Sequence, residues 1–261
     1  MPPLPAELEP LVSDPRTSAV LVDFDGTLAA IVDRPEDSRP LPAATAALTR
    51  LVAKVGTVAV ISGRPVDFLI STLAVEGVLI FGQYGLERLV DGKIVVDARA
   101  QPAVAMVAEA RRAAAVAWPD LVIEHKGDLA LGVHWRTNPV AAPTPAELKI
   151  WGDQFGLESL PGRMAWEFRP EVPVDKGVVT DGLLNTRAVR VALVVGDDVG
   201  DIPMFIALDK WSSEDPNRIA IRVGVHSEEA PPELLERADL VVADPVELAA
   251  VLTALADRCD Q

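Results

Sequence analysis

Val22-Asp23-Phe24-Asp25-Gly26-Thr27-Leu28 follows an apolar run at residues 19–22 and sets two carboxylates two positions apart where that run gives way to a turn. The carboxyl ends of strands are where α/β enzymes gather their chemistry. On an extended backbone, positions i and i+2 point to the same side, so Asp23 and Asp25 converge on one small volume. Two like charges held that close call for a cation. Mg²⁺ is a hard divalent ion that takes one or two carboxylates together with phosphate oxygens, so the pair points to metal-assisted phosphoryl chemistry. For the heptad alone, an Asp-Gly turn after a buried strand is the competing reading.

Three further segments bear on that choice. Val58-Ala59-Val60-Ile61-Ser62-Gly63-Arg64-Pro65 is a β-branched run that ends in a hydroxyl and a glycine, with Pro65 suited to the first turn of a helix. A Ser hydroxyl and free N–H groups at such a turn can hold a phosphate oxygen. Val174-Asp175-Lys176-Gly177 opens a helical stretch and supplies one ammonium. Val191-Ala192-Leu193-Val194-Val195-Gly196-Asp197-Asp198-Val199-Gly200-Asp201 is another apolar run, and it ends in a carboxylate cluster. Taken singly, these read equally well as a turn, a surface lysine and an acidic loop. The order of the four together is the informative signal.

That order resembles the haloacid dehalogenase-like phosphatase superfamily over about residues 20–208. The resemblance implies an α/β fold: a Rossmann-like, doubly wound parallel-sheet core with a smaller α+β cap domain. It also implies roles. Asp23 becomes the nucleophile that carries an aspartyl phosphate, and Asp25 the general acid/base, its main-chain carbonyl adding to the metal site. Lys176 neutralises the nucleophile and the phosphoryl charge. Gly26, Thr27, Ser62 and Gly63 contact the phosphate, and Mg²⁺ is held by Asp23, Asp25, Asp197 and Asp198, with Asp201 close behind. A carboxylate attacks a phosphate dianion only when such cations cancel the repulsion.

Spacing locates the cap. Between Arg64 and Lys176 lie 111 residues, whereas Lys176 and Asp197 are 21 apart. The expected division is a core from 1–100 and 171–261, with the cap at 101–170. Residues 78–82 and 89–96 read as core strands, the latter a hairpin across Asp91-Gly92. Within the cap, 104–118 reads as an Ala-rich helix, and 121–126 with 129–136 as a hairpin across Gly127-Asp128 with residues 129, 131, 133 and 135 on one apolar face. A second helix is expected near 145–155, then a strand over 164–169.

Glu124 and Lys126 share one face of their expected strand, and Glu167 lies opposite the apolar Met164, Trp166 and Phe168. Charged groups of this kind discriminate hydroxyl patterns through hydrogen bonds, although a solvated sheet face explains them equally well. Together with Ile61-Ser62-Gly63-Arg64, Tyr84-Gly85-Leu86-Glu87, Glu124-His125-Lys126-Gly127, Val133-His134-Trp135-Arg136 and Trp166-Glu167-Phe168-Arg169-Pro170, they make the chain similar to the trehalose-6-phosphate phosphatase family. The resemblance implies that Glu124, Lys126 and Glu167 contact the distal glucose, that Arg64 contacts substrate, and that the chain serves trehalose biosynthesis. Tyr84 stands where the family usually has His, Gln83 where it often has Asn, and Gly200 and Ile202 interrupt the commoner acidic run. Other disaccharide phosphates, including trehalose analogues, therefore stay open as substrates. A non-catalytic partner of a trehalose synthase would be expected to lack a catalytic residue.

Of 261 residues, 49% are apolar and 24% charged, enough for a sizeable core and two modest domains. The net charge of −15 repels nucleic acid and anionic membranes. The expected partner is therefore a small-molecule sugar phosphate, and the expected state a monomer. Met1-Pro2-Pro3-Leu4-Pro5 lacks a secretory leader pattern, and no stretch reaches the ~18 apolar residues of a span, which reads as cytoplasmic. A single cysteine, Cys259, forms no internal disulfide, and His125, His134 and His226 have no zinc-ligand spacing.

Overall fold

The computed structural model describes residues 3–32, 34–162, 164–227 and 230–260. Residues 1, 2 and 261, which bound the expected core segments, lie outside them. The chain runs through α1 (Glu9–Ser13), β1 (Ser18–Val22), α2 (Pro42–Lys54), β2 (Thr57–Ile61), α3 (Val66–Leu73) and β3 (Leu79–Gly82), then a hairpin of β4 (Glu87–Val90) and β5 (Lys93–Val96). Next come α4 (Ala103–Ala117), β6 (Val122–Lys126), β7 (Ala130–His134), α5 (Pro145–Gln154), β8 (Leu157–Gly162) and β9 (Ala165–Pro170). It returns through α6 (Lys176–Thr186), β10 (Val191–Gly196), α7 (Ile202–Ser213), β11 (Ile219–Val225), α8 (Pro232–Arg237), β12 (Leu240–Val242) and α9 (Pro245–Cys259).

The larger sheet has the order β12-β11-β10-β1-β2-β3-β4-β5, parallel from β12 to β3 and antiparallel beyond. β1, β2 and β10 are buried at every position, which is why they read as unbroken apolar runs instead of alternating ones. Alternation survives in which layer each residue meets. Val20, Val22, Val58 and Val60 pack with Leu48 of α2, Leu69 of α3 and Leu252 of α9. Ala19, Leu21, Ala59 and Ile61 pack on the other face with Leu183 of α6 and Phe205, Leu208 and Trp211 of α7. This is the doubly wound arrangement, and it brings the ends of β1, β2 and β10 side by side.

The smaller sheet, β6-β7-β9-β8, is antiparallel. One face carries Leu131, Val133 and Phe168 against Val107 and Ala110 of α4 and Leu148 of α5. Trp151 fills this layer, its ring 5.0 Å from Trp118 and 4.8 Å from Phe168 between centroids. Two expectations need correction. Leu129 does not join Leu131 and Val133; it precedes β7 at the turn and packs with Leu86, Ala100 and Val174 where the two sheets' segments meet. Strand β8 was not foreseen. It is an edge strand containing Pro161, a place where proline loses no ladder bond, and its sequence shows no clear alternation.

Candidate active site

The ends of β1, β2 and β10 face the uncovered side of the smaller sheet across a cavity of about 690 Å³. At its floor the Lys176 Nζ donates to Asp23 Oδ1 at 2.6 Å and to Asp201 Oδ1 at 2.7 Å. Lys176 is the first residue of α6, whose N-cap Asp175 accepts from the Val178 N–H, so the ammonium leaves a fixed helix start. Asp23 is held by its own N–H, which donates to the Val195 carbonyl at 3.1 Å and ties the end of β1 to β10. Asp201 spends its second oxygen on the main chain: Oδ2 accepts from the N–H groups of Asp197 at 2.9 Å and Asp198 at 3.2 Å.

Asp23, Asp197 and Asp201 offer carboxylate oxygens within 4.8 Å of one another, and all three are buried. Burial pushes the Asp23 carboxyl well above its ordinary range, with Lys176 pulling the other way and the neighbouring Asp201, Asp197 and Asp198 adding to the rise. Asp197 is pushed up to about 8 by burial and by the charges of Asp201 and Asp198. Burial disfavours the charge on Lys176, yet the Asp201 and Asp23 carboxylates beside it hold the ammonium well above its usual range. Ionised, the three carboxylates outnumber the one ammonium by two charges. An all-oxygen set with a surplus of two negative charges fits a hard divalent cation.

Gly26 and Thr27 stand behind this cluster and do not line the cavity. The Thr27 Oγ1 donates to Asp197 Oδ1 at 3.1 Å, and the Gly26 N–H donates to the Ala29 carbonyl. The Thr27 hydroxyl thus braces Asp197, and the Gly26 N–H, expected to meet phosphate, is taken up within its own turn. Ser62 and Gly63 do line the cavity. The Ser62 Oγ accepts from the Arg64 N–H at 3.1 Å, which keeps the hydroxyl at the tip of β2 and leaves its proton to donate. The carboxylates expected at the metal divide. Asp198 lines the cavity, its carboxyl raised chiefly by burial, and it stands outside the tight cluster, where Asp201 is found. Asp25 turns its carboxylate onto Arg64 and Ser38.

Overhead, the cap face carries a chain of ion pairs. The Lys126 Nζ donates to Glu167 Oε2 at 2.5 Å and lies 3.9 Å from Glu124 Oε2, which is also 2.7 Å from His134 Nε2. Burial raises the Glu124 carboxyl, but His134 and Lys126 outweigh it and leave it below its ordinary range. Gly132 pairs with Glu124 on one side and Glu167 on the other, and its missing side chain leaves room for the His134–Glu124 contact. A Cβ there would come within 2.7 Å of His134 Nε2 and 3.0 Å of Glu124 Oε2. Glu124 and Lys126 line the main cavity; Glu167 lines a neighbouring one of about 500 Å³ that shares Tyr84, Lys126 and His134. The core holds the cap directly through the Gln83 Nε2, which donates to the Lys126 carbonyl at 2.6 Å.

His134, Ser38 and Gln83 were not expected at the site. His134 is ten residues from Glu124, and only the hairpin pairing brings it across. Ser38 belongs to a loop without a motif, and Gln83, noted in the sequence only as a departure from the family, opens a 3₁₀ turn after β3. Tyr84, which opens one of the quoted motifs and departs from the family there, has a left-handed backbone, φ 58°, and its ring lies beneath the Arg169 guanidinium at 4.6 Å.

Residues 21–230 match the family described as Trehalose-phosphatase. A trehalose-phosphate phosphatase of Mycolicibacterium paratuberculosis is 35% identical over 204 residues, covering 74% of this chain and 52% of that protein. A protein of Mycobacterium tuberculosis described as an uncharacterized glycosyl hydrolase is 35% identical over 211 residues, covering 74% of this chain and 15% of that protein. The chain thus spans about half the length of the trehalose-phosphate phosphatases it matches. Among solved structures, the trehalose-6-phosphate phosphatase C-terminal domain of C. albicans superposes with a TM-score of 0.69 at 21% identity, covering 98% of both chains, a likeness of fold.

Proposed function

The chain belongs to the trehalose-phosphatase family, and on that premise we propose that it hydrolyses trehalose 6-phosphate to trehalose and inorganic phosphate. The observation that carries the reading is the Asp23–Lys176 contact of 2.6 Å at the floor of a cavity whose roof holds Glu124 and Lys126. A nucleophile and its counter-charge lie below, and hydroxyl-reading groups lie above.

In this reading Asp23 attacks phosphorus and forms an acyl phosphate while the bond to the sugar oxygen breaks. Asp25 gives that oxygen its proton. Water then attacks the same phosphorus, its proton passes to Asp25, and the electrons of the breaking bond return to Asp23. Lys176 offsets the charge of Asp23 and of the phosphoryl group throughout, and Ser62 donates to a phosphoryl oxygen. Asp23, Asp197 and the Asp25 carbonyl, with Asp198 and Asp201 beside them, would hold Mg²⁺, which would further neutralise that charge. Glu124, Lys126 and Glu167 accept and donate hydrogen bonds to the distal sugar, with His134 fixing Glu124. Sugar phosphates are cytoplasmic metabolites, and we assign the chain to that compartment; among the described residues no helix is long and apolar enough to cross a membrane.

A phosphate-release panel tests the reading, with trehalose 6-phosphate, sucrose 6-phosphate, glucose 6-phosphate and an aryl phosphate, each with Mg²⁺ and with chelator. The expected result is the highest kcat/KM on trehalose 6-phosphate, lost in chelator and in Asp23→Asn. A higher value on another disaccharide phosphate would reassign the substrate, and full activity of Asp23→Asn would remove the nucleophile.

A further inference from the structure

We propose that Ser38 and Arg64 are positioning residues that fix Asp25 so that its proton transfers run through one oxygen, Oδ2. The proposal rests on the acid/base role given to Asp25 above. A carboxylate offers about four acceptor positions, and three of those of Asp25 are filled. Oδ1 accepts from the Ser38 Oγ at 2.8 Å and from the Arg64 Nη2 at 2.8 Å, and Oδ2 accepts from the Arg64 Nε at 2.6 Å. The position left over lies on Oδ2. The two-pronged guanidinium contact also fixes the plane of the carboxylate, which a single bond would leave free to rotate.

Both partners are themselves braced. Ser38 is fully buried, and its loop is tied down by Arg39, whose Nη1 donates to the carbonyls of Glu36 and Ser38 at 2.7 Å each. The same stretch of chain is stitched to the turn of Asp25, since Ala29 bridges to Asp25 on one side and to Pro40 on the other. The Arg64 guanidinium lies over the Phe68 ring at 4.6 Å, and its carbonyl accepts from the Gln83 N–H at 2.9 Å. Arg64 is thereby committed to Asp25 through Nε and Nη2, while it also lines the cavity where the sequence expects it to contact substrate. With Oδ1 anchored, Oδ2 gives its proton to the leaving sugar oxygen as the phosphorus–sugar bond breaks. In the second step it takes one proton from the attacking water as the phosphorus–Asp23 bond breaks.

p-Nitrophenyl phosphate separates these steps, because nitrophenolate leaves without a proton whereas hydrolysis of the acyl phosphate still needs a base. The experiment is a stopped-flow burst measurement with Mg²⁺ on wild type, Asp25→Asn, Ser38→Ala and Arg64→Lys. The burst amplitude counts competent sites, so a partly unfolded variant does not mimic the effect. Asp25→Asn is the reference and should keep a fast burst while steady turnover collapses. Ser38→Ala and Arg64→Lys should keep the burst rate and lose roughly ten- to a hundredfold in steady turnover. Burst and turnover slowed alike, or turnover unchanged in both variants, would overturn the positioning roles. If Asp25→Asn itself leaves the two phases unseparated, the acid/base reading is at fault and the positioning proposal goes with it.

Discussion

Gly26 passes so close to Asp197 that a Cβ on it would stand 1.9 Å from Asp197 Oδ2, and its φ is +73°. The Asp-Gly turn that competes with a catalytic reading of the first motif is therefore present, and it is part of the site: the glycine makes room for the carboxylate of the last motif.

Gly26→Ala should damage the site beyond its backbone cost. Gly92, in the β4–β5 turn, has the same φ of +73° with open space around it. Gly92→Ala should cost roughly 1–2 kcal/mol from the left-handed backbone alone and leave turnover intact. Gly26→Ala adds displacement of Asp197, so phosphate release should fall severely and the Mg²⁺ concentration needed for half activation should rise. Thermal melts and Mg²⁺ activation curves on the two variants distinguish strain from displacement.

Lys176→Met should leave Asp23 and Asp201 buried and uncompensated, with Lys176 itself 3% exposed in the native site. Removing one partner from a buried ionic set costs about 3–5 kcal/mol. Burial already raises Asp23, so without the ammonium its carboxyl protonates more readily still. The variant's melting temperature should therefore approach wild type on acidification and fall behind it on the alkaline side. A gap independent of pH would show that the loss is packing alone.

Metal stabilisation should grow with pH. Asp197 rises from 3.8 to about 8 on folding, so between those values the folded chain holds a proton that the unfolded chain has released. The stability tied to that proton is full below about 4 and is lost as pH climbs through about 8. In chelator the melting temperature should accordingly fall as pH rises from about 4 toward about 8 and level off above. Mg²⁺ meets no competing proton there, and its melting-temperature increment should be larger at about pH 8.5 than at about pH 6. Equal increments at both would remove the coupling.

Glu124→Gln, Glu167→Gln and His134→Ala should each impair hydrolysis of trehalose 6-phosphate by about 1–3 kcal/mol, or roughly ten- to a hundredfold. An aryl phosphate has no distal hydroxyls, and its hydrolysis should change little. His134→Ala is the new member of the set, because the 2.7 Å contact is what holds Glu124 against its strand. Equal losses on both substrates would mean that the ion-pair chain supports cap structure instead of reading sugar.

What the sequence discloses is what depends on short stretches. The strands β1, β2 and β10 are apolar throughout because both faces are covered, and each runs into a polar residue of the cavity floor or its carboxylate cluster, so fold and candidate site are read together. Spacing between motifs reveals the cap for a similar reason, since an inserted unit lengthens one interval. Partnerships across long intervals leave no such trace. Nothing near Ser38 announces a bond to Asp25, and Glu124 meets His134 only because the β6–β7 register sets Gly132, with no side chain in the way, opposite Glu124. An edge strand such as β8, with one neighbour and a proline, is under too little packing constraint to impose alternation on its sequence.

The place of β1 between β2 and β10 also sets a timetable for synthesis. Ser18 pairs with Val191, so the strand that leads into Asp23 leaves the ribosome well before its second neighbour exists. At about 5–20 residues per second that wait lasts roughly ten to thirty seconds. Meanwhile the smaller sheet, contiguous in sequence from β6 to β9, has everything it needs to form. The nascent chain carries an open edge of Ser18–Val22 while the smaller sheet can already form, and Asp23 gains Lys176 and Asp197 only after that sheet has emerged. Exposed strand edges are what holding chaperones bind and what aggregates grow from. The yield of folded protein should thus be governed by how long that edge stays open, and slow codons between residues 171 and 191 would lengthen the exposure without changing a single residue of the product.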